Sequence, residues 1–81
     1  MNLTELGMEV ARARKEKRLS QAELGDAAGL ARQTISALER GAISDLGAQK
    51  LVRVLEVLGL ELLVRPVGHP VTLDDLRPGH R

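Results

Sequence analysis

The stretch SQAELGDAAGLARQTISALERG, residues 20–41, decides the fold of this chain. It opens with Ser20 and has Glu23 three positions later, which is the pattern of a capping box at the start of a helix. Gly29 ends that helix, because glycine takes the left-handed conformation at little cost, and Gly41 ends a second helix in the same way. Two short helices joined by a glycine turn predict a helix-turn-helix.

The second helix of this stretch carries polar side chains on its first turn and apolar ones behind it. Ile35 and Leu38, three residues apart, predict the face that packs on the core. A helix that enters the DNA major groove presents its N-terminal residues to the base edges. Arg32 can donate two hydrogen bonds to guanine, Gln33 can pair with adenine, and Thr34 can bond a phosphate oxygen. This helix is therefore predicted to recognise DNA.

Gly25 stands inside the first of the two short helices. Glycine in a helix interior costs about 1 kcal/mol relative to alanine, so a packing reason is expected. We predict that the two helices of the motif cross closely at Gly25.

Further helices are predicted on both sides of the motif. The first runs from about Leu3 to Lys17, and the last begins near Ser44 or Asp45, either a good N-cap, and ends at Gly59. The apolar positions with helical spacing are Leu3, Leu6, Val10 and Ala13 in the first helix and Leu51, Val54, Leu55 and Leu58 in the last. These two stripes are the predicted contribution of the flanking helices to the core.

The composition excludes several kinds of function. The 81 residues allow one domain, and without cysteine there is no disulfide or thiol chemistry. No aromatic residue is present, so nucleic-acid bases cannot stack on the protein. No apolar run approaches the roughly 20 residues that span a bilayer, and the N-terminus has no signal-peptide pattern. We expect a cytoplasmic, nucleoid-associated protein that does not contact membranes.

No arrangement of residues predicts catalysis or a cofactor. The sequence has no array of serine, histidine and acid, and no glycine-rich phosphate loop. His69 and His80 are eleven residues apart, which is wider than the spacing of a typical metal site. The chain is predicted not to be an enzyme and to bind neither metal nor cofactor.

Positive charge is concentrated in residues 10–40, which hold seven basic and four acidic residues, a net charge of +3, whereas the whole chain carries +1. Such a stretch suits the phosphates of DNA. The basic residues of 14–18 also suit the negative end of a helix dipole, so a solvated helix end is the second interpretation of that group.

After Gly59 the apolar period changes from helical to alternating. Leu60, Leu62 and Val64 alternate with other residues and Pro66 stops the run, which predicts one short strand over residues 60–66. No second strand is evident before it. We therefore expect it to pair with the same strand of a second copy across a two-fold axis.

The predicted dimer contacts are Leu60, Leu62, Leu63 and Val64. The chain then divides into a DNA-binding domain, residues 1–59, a dimerisation strand, residues 60–66, and a tail, residues 67–81. The tail is rich in glycine and proline and is expected to be weakly ordered.

Residues 4–58 resemble the lambda-repressor-like helix-turn-helix domains of the Xre family, and the resemblance lies in residues 20–41. It implies a mainly α fold, a bundle of four to five helices followed here by the predicted strand, with the recognition helix over residues 32–40. By this resemblance, base contacts fall on Arg32, Gln33, Ser36 and Ala37, and phosphate contacts fall on Gln21, Thr34, Arg40 and Ser44.

The same resemblance implies contacts inside the protein. Gln21 would support Gln33 besides bonding a phosphate, and Glu39 would pair with Arg14, for which two unrelated surface charges are the alternative. Ala31 stands where the family often has serine or threonine, so the side-chain cap of the recognition helix is predicted to be missing.

The end of the chain resembles the HipB-like antitoxins, in which strands of two subunits pair in the dimer. This resemblance implies a homodimer that binds a palindromic operator in double-stranded DNA, represses its own operon and binds a HipA-like kinase toxin. The alternative is a protein-interaction module that sequesters a toxin or another partner through its C-terminal region, with DNA binding secondary.

Overall fold

The computed structural model describes residues 2–43 and 45–66. These ranges contain four helices, α1 (Leu3–Glu16), α2 (Gln21–Ala28), α3 (Arg32–Glu39) and α4 (Ala48–Val57). Helix α3 packs against α1 and α2, and α2 also packs against α4. The predicted mainly α architecture with a helix-turn-helix, α2 and α3, is therefore confirmed.

The core lies where all four helices meet. Its buried residues are Val10, Ala13, Leu24, Ala28, Ile35, Leu38, Val54, Leu55 and Leu58. Most of the predicted apolar stripes thus reach the core, because their spacing of three and four keeps them on one side of each helix. Leu3 is the exception, since it lies on the first turn of α1 and remains 49% exposed.

The ends of α2 follow the sequence signals closely. The backbone N–H of Glu23 donates to Ser20 Oγ at 3.0 Å, and the N–H of Ser20 donates to Glu23 Oε1 at 2.8 Å. These two bonds complete the predicted capping box. Gly29 ends the helix with φ +73°, as predicted for a left-handed cap.

The predicted start of α4 is wrong. The helix begins at Ala48, with Gly47 as its N-cap, rather than near Asp45. Ile43 and Leu46, in the connection before it, pack against the core instead. These two apolar contacts fix the connection outside a helix, and sequence caps do not reveal such tertiary contacts.

Helix α1 ends one residue earlier than predicted, at Glu16, with Lys17 as C-cap. Arg18 follows with φ +58°, a left-handed conformation that usually falls to glycine or asparagine. The N–H of Leu19 then donates to the carbonyl of Arg14 at 3.1 Å, which closes the helix end. The Lys17-Arg18 sequence gives no signal of this turn.

Gly25 allows a close approach, as predicted, but the partner differs from the prediction. A Cβ atom at this position would lie 2.5 Å from the carbonyl oxygen of Leu30. Leu30 belongs to the turn between α2 and α3, not to α3 itself. The N–H of Leu30 donates to the carbonyl of Gly25 at 2.8 Å, so the turn folds directly back over the glycine.

Residues 60–66 form no strand with any part of 2–43 or 45–66, so the strand prediction is not supported within this chain. Leu60 packs partly against the core, whereas Leu62, Leu63 and Val64 are 52%, 66% and 88% exposed. A strand needs a neighbour for its backbone hydrogen bonds, and a single copy offers none here. The predicted tail, residues 67–81, lies outside the described residues.

Candidate nucleic-acid interface

Helix α3 separates its residues into a buried side and a polar side. Ile35 and Leu38 are buried in the core. The residues on the opposite side, within an arc of about 140° at about 100° per residue, are Arg32, Gln33, Ser36, Ala37 and Arg40. The predicted base-contact residues therefore share one face of one helix.

Exposure along this face falls from the N-terminal end of α3 toward its middle. Arg32 and Gln33 are exposed, whereas Ser36 and Ala37 are half-buried. The two long polar side chains can therefore reach furthest from the protein. The short side chains behind them offer one hydroxyl and one methyl group, which suit close contact with a base edge or a thymine methyl.

The first turn of α3 has no side-chain cap, as predicted. Ala31 occupies the N-cap position with extended dihedral angles, φ −67° and ψ 149°, and its methyl group accepts no hydrogen bond. Its carbonyl does accept the N–H of Thr34 at 3.0 Å and that of Ile35 at 3.3 Å. The amides that precede these two are left for water or a ligand, as at any uncapped helix start.

The predicted phosphate-contact residues are spread around the motif. Thr34 and Gln21 are half-buried, on the first turns of α3 and α2. Arg40 is exposed, and its Nε donates to the carbonyl of Ser36 at 3.3 Å, which holds the side chain along the last turn of α3. Ser44 lies outside the described residues.

An ion pair fixes the C-terminal end of α3. Arg14 Nε donates to Glu39 Oε2 at 2.6 Å, and Arg14 Nη2 donates to Glu39 Oε1 at 3.0 Å. The two side chains are 12% and 7% exposed. The predicted pair between Arg14 and Glu39 is therefore present as a two-bonded, largely buried contact, and the alternative of unrelated surface charges is wrong.

Two further bonds extend this pair to α2. Arg14 Nη1 donates to the carbonyl of Leu19 at 2.8 Å, just before α2. Gln21 Nε2 donates to Glu39 Oε1 at 3.1 Å. We call Arg14, Leu19, Gln21 and Glu39 the clamp, because these residues join α1, the start of α2 and the end of α3. The clamp fixes the orientation of α3 relative to the rest of the motif.

The clamp shifts the pKa values of both charged members. Burial acts to raise the pKa of Glu39, but hydrogen bonds from Arg14 and Gln21 and the charges of Arg14 and Lys15 outweigh it and lower the pKa. The hydrogen bond to Glu39 raises the pKa of Arg14, against the effect of burial. Both residues are therefore charged at neutral pH.

Gln21 serves the clamp rather than the recognition residue Gln33. Its amide nitrogen is bonded to Glu39, and no hydrogen bond joins Gln21 to Gln33 in the described structure. The predicted support of Gln33 by Gln21 is thus not present in this chain on its own. The family resemblance predicts the importance of Gln21 but not this partner.

Sequence reasoning missed Gly7, which sets the distance between α1 and α3. Gly7 is buried, and a Cβ atom on it would lie 2.6 Å from the carbonyl oxygen of Glu39. The signal is present in the sequence, because Gly7 interrupts a helix with apolar periodicity as Gly25 does. Gly7 lets α1 approach the same end of α3 that the clamp holds.

The basic residues of 10–40 divide into paired and unpaired groups. Arg14 belongs to the clamp, and Arg12 pairs with Glu16 and, at 2.6 Å, with Glu9. The basic residues of this stretch without an ion pair to another described residue are Lys15, Lys17, Arg18, Arg32 and Arg40, all exposed. A Cβ atom on Gly59 would lie 3.9 Å from Lys17 Nζ, so Lys17 stands at the C-terminal end of α4. Lys17 therefore lies near the negative end of the α4 dipole, whereas the dipole interpretation from the sequence concerned the end of α1.

Other kinds of site have little support in the described ranges. Residues 2–43 and 45–66 contain no group of three or more His, Cys, Asp or Glu that could hold a metal ion. None of the helices in these ranges has the length and apolar character that a membrane span requires. The two histidines of the chain, His69 and His80, lie outside the described residues.

The helix-turn-helix motif of this chain matches a known protein family. A helix-turn-helix family model matches residues 10–64, which include α2, α3, α4 and the second half of α1. The chain belongs to the Xre, or lambda-repressor-like, helix-turn-helix family. A sequence comparison with curated proteins finds no significant relative.

Solved structures of regulators resemble this Xre-family chain. SinR, the master regulator for biofilm formation, in complex with DNA is 34% identical with a TM-score of 0.63, over 69% of this chain and 89% of that one. The restriction-modification controller protein C.AhdI from Aeromonas hydrophila is 27% identical with a TM-score of 0.67, over 73% and 88%. The family and these neighbours support a DNA-binding transcription regulator.

Two comparisons cover smaller parts of the other protein. In the complex of SinR with SinI, this Xre-family chain spans 54% of the SinR chain, again at 34% identity. Hydroxypropylphosphonic acid epoxidase from S. wedmorenis is 25% identical with a TM-score of 0.67, but the likeness covers only 31% of that enzyme. The fold is therefore also found as a minor part of a much longer chain.

Proposed function

We propose that this chain is a sequence-specific, dimeric transcriptional repressor that inserts α3 into the major groove of its operator. The observation that carries the proposal is the pair Arg32 and Gln33, both exposed on the uncapped first turn of a helix. Ile35 and Leu38 bury the opposite side, so this turn is directed away from the core. Arginine and glutamine are the side chains suited to guanine and adenine edges, respectively.

The proposed contacts divide into two classes. Arg32, Gln33, Ser36 and Ala37 contact bases, and Gln21, Thr34, Arg40 and Ser44 contact phosphates. Base contacts select sequence, whereas phosphate contacts fix the position of the protein and make binding sensitive to salt. The structure of SinR, which is 34% identical over 69% of this chain, is a complex with DNA and supports DNA binding by this chain.

The clamp supports the proposal by fixing the recognition helix before DNA arrives. Glu39 ends α3 and is tied to Arg14 of α1 and Gln21 of α2. A recognition helix that is already oriented loses less conformational freedom on binding than a mobile one. We propose that the amide nitrogen of Gln21 keeps its hydrogen bond to Glu39 when DNA binds. The amide oxygen and the backbone of Gln21 then contact a DNA phosphate through a bridging water molecule.

Dimerisation through residues 60–66 is the second part of the proposal. Leu62, Leu63 and Val64 are exposed beside the half-buried Leu60, which leaves an apolar stretch in contact with solvent. A second copy that covers it would present two α3 helices to one duplex. Such a dimer binds a palindromic operator with half-sites about one turn, roughly 34 Å, apart. Residues 1–59 then form the DNA-binding domain of each subunit.

Repression follows if the operator lies upstream of the chain's own gene, where bound protein blocks transcription. The site of action is then the cytoplasm, at the nucleoid. Fluorescence anisotropy with this upstream DNA and with a scrambled duplex, over a salt series, tests the proposal. We expect wild-type protein to prefer the upstream duplex.

The double variant Arg32→Ala/Gln33→Ala should remove that preference. Each lost base contact costs about 1–3 kcal/mol, and salt-sensitive binding to both duplexes remains. Gln49→Ala/Lys50→Ala, on the first turn of α4, is the matched control, since both residues are exposed. An unchanged preference in the Arg32/Gln33 variant excludes α3 as the reading helix. No preference in wild-type protein excludes autoregulation at that site.

A second candidate function is protein interaction, with the chain as the antitoxin of a HipA-like kinase. The exposed apolar residues Leu62 to Val64 favour an interaction surface, and the antitoxin role itself rests on the resemblance of residues 60–66. A kinase assay with a HipA-like kinase encoded beside this gene tests it. Full-length protein should inhibit the kinase, and a chain that ends at Pro66 should fail if the tail makes the contact. Full kinase activity in the presence of full-length protein excludes the antitoxin role.

A further inference from the structure

The backbone of residues 61–66 has no hydrogen-bond partner within 2–43 and 45–66. The preceding residue differs, because the N–H of Leu60 donates to the carbonyl of Leu55 at 2.8 Å and so closes the end of α4. The last residue of the segment, Pro66, has no N–H to donate. These two residues restrict how another strand can pair with this segment.

In an extended strand, alternate residues direct their backbone groups to the same side. Leu60 and Pro66 are separated by six positions, so both belong to the same alternate set. Neither can donate to a neighbouring strand, one because its N–H is engaged and the other because it has none. The set of Glu61, Leu63 and Arg65 offers three N–H donors per copy and the other set offers only two, those of Leu62 and Val64, so the first set is the better one to face a partner strand.

The charges of the segment are placed symmetrically. Glu61 and Arg65 lie two residues before and two residues after Leu63, in the set that faces the partner. When two antiparallel copies pair about a two-fold axis at Leu63, Glu61 of each copy lies opposite Arg65 of the other. Opposite charges directly across an antiparallel pair are stabilising, and like charges are destabilising.

We infer that a second copy of this chain binds to residues 60–66 in this one register, with the two-fold axis at Leu63. The inference rests on the proposed dimer and specifies its geometry. The two Leu63 residues face each other at the axis, and a Glu61–Arg65 pair flanks them on each side. Leu62 of each copy lies opposite Val64 of the other, so these two exposed apolar side chains cover each other.

Other registers satisfy fewer of these conditions. A shift by one residue places Glu61, Leu63 and Arg65 of one copy opposite the alternate set of the other copy, which contains Leu60 and Pro66. Residues that lie opposite each other then cannot exchange both backbone hydrogen bonds. An axis at Glu61 or at Arg65 brings two like charges together. An axis at Leu62 or at Val64 leaves Glu61 and Arg65 without a charged partner in the segment. The axis at Leu63 also pairs all seven residues, with Leu60 opposite Pro66.

The apolar side of the paired segment also has a place on each subunit. Leu6 and Leu55 lie beside residues 60–63 around a surface groove of about 280 Å³. Glu9 and Arg65 also line this groove. Leu60 packs partly against the core and Leu62 lines the groove, so the partner's Val64, which lies opposite Leu62 in the proposed register, is next to the groove. The segment thus joins the partner to α1 and α4 as well as to its own copy.

Charge reversal with sedimentation equilibrium tests the register. Glu61→Arg and Arg65→Glu each convert two attractive pairs of the dimer into two repulsive ones, so each should raise the dimer dissociation constant about tenfold or more. The double variant Glu61→Arg/Arg65→Glu restores opposite charges and should return to within about threefold of wild type. Glu56→Arg, at an exposed position of α4, is the control and should leave the constant unchanged.

The possible results test the strand register and the existence of the dimer separately. A wild-type dimer whose constant does not respond to the single reversals, or is not restored by the double variant, overturns the register and leaves the dimer standing. A wild-type chain that is monomeric throughout overturns both, while DNA preference by anisotropy is judged separately. Amide hydrogen exchange gives a second readout, because Glu61, Leu63 and Arg65 should be protected and Leu62 and Val64 should exchange freely. Circular dichroism of each variant checks that it is folded.

Discussion

Arg14 Nε lies 2.6 Å from Glu39 Oε2, and this contact joins the last turn of α1 to the last residue of α3. The two residues are 25 positions apart in sequence. Because both side chains are largely buried, neither can replace its partner with water. The orientation of the proposed recognition helix therefore depends on a charge that lies on another helix.

Glu39→Gln should destabilise the fold. The variant leaves the Arg14 guanidinium buried without its counter-charge, and breaking a buried pair costs up to about 3–5 kcal/mol. Glutamine retains an acceptor oxygen, so we expect a loss of about 2–3 kcal/mol in the free energy of unfolding. Urea unfolding followed by far-UV circular dichroism measures it. Glu56→Gln, exposed on α4, is the control, and equal midpoints for the two variants would show that the clamp adds nothing.

The free energy of unfolding of the wild-type protein should fall as the pH drops below about 4. This pH is close to the pKa of about 4.3 that glutamate has in the unfolded chain. The pKa of Glu39 is lowered in the folded state, so the unfolded state binds more protons in this range. The stabilisation is complete above the unfolded pKa and is lost as the pH falls through the folded pKa. Glu23, whose pKa is lowered by its bonds to Ser20, contributes in the same direction.

Urea midpoints between pH 2 and pH 7 measure this dependence, for wild type and for Glu39→Gln. The variant should keep the Glu23 contribution and lose that of Glu39, so its stability should vary less with pH. Identical slopes for the two proteins would contradict the assignment to Glu39.

Gly7→Ala should be among the most damaging small substitutions in the chain. The added methyl group would contact the backbone carbonyls of Leu38 and Glu39, which cannot move without shifting α3. Overpacking of this kind typically costs about 1–3 kcal/mol. It should also weaken operator binding by displacing α3. Gly47→Ala is the matched control, since a Cβ atom there meets nothing within 4 Å, and its effect should stay under about 1 kcal/mol.

Ala31→Ser should stabilise the protein by about 0.5–1 kcal/mol, because serine at an N-cap accepts a hydrogen bond from the first turn of the helix. Ala31 already has the extended dihedral angles that an N-cap requires, so no backbone change is needed. Thermal unfolding measures the gain. Ala22→Ser, exposed on the first turn of α2, gains no cap because Ser20 already caps that helix, and it should be neutral or slightly destabilising. A melting temperature for Ala31→Ser at or below that of Ala22→Ser would contradict the idea that the missing cap at Ala31 lowers the stability of the protein.

The sequence predicted those parts of the fold whose causes are local. The capping box at Ser20 and the glycine at Gly29 act within a few residues, so α2 is found where it was expected. The start of α4 was wrong because Ile43 and Leu46 pack against the core before the helix begins, and such a contact depends on distant residues. The left-handed Arg18 was missed because arginine is not the usual residue for that conformation.

The candidate site also contains features that local sequence predicts and features that depend on contacts between distant residues. Periodicity alone separates Ile35 and Leu38 from the polar face of α3, since one helix determines that separation. The clamp required the family resemblance, because nothing local connects Arg14 with Glu39. The bond from Gln21 to Glu39 was not foreseen, since an amide can choose among several acceptors and only the packed structure selects one.

The proposed recognition helix is held at one end and open at the other. Glu39 ties its last residue to two other helices, whereas Ala31 leaves its first turn without a cap. The first turn of α3 can thus become fully ordered when the protein is bound to DNA. Hydrogen bonds from Arg32 and Gln33 to base edges then offset the conformational entropy that the turn loses. We expect unmatched DNA to leave the turn frayed. Binding to the matched operator then includes a small local folding step, visible as a more negative heat-capacity change than for unmatched DNA.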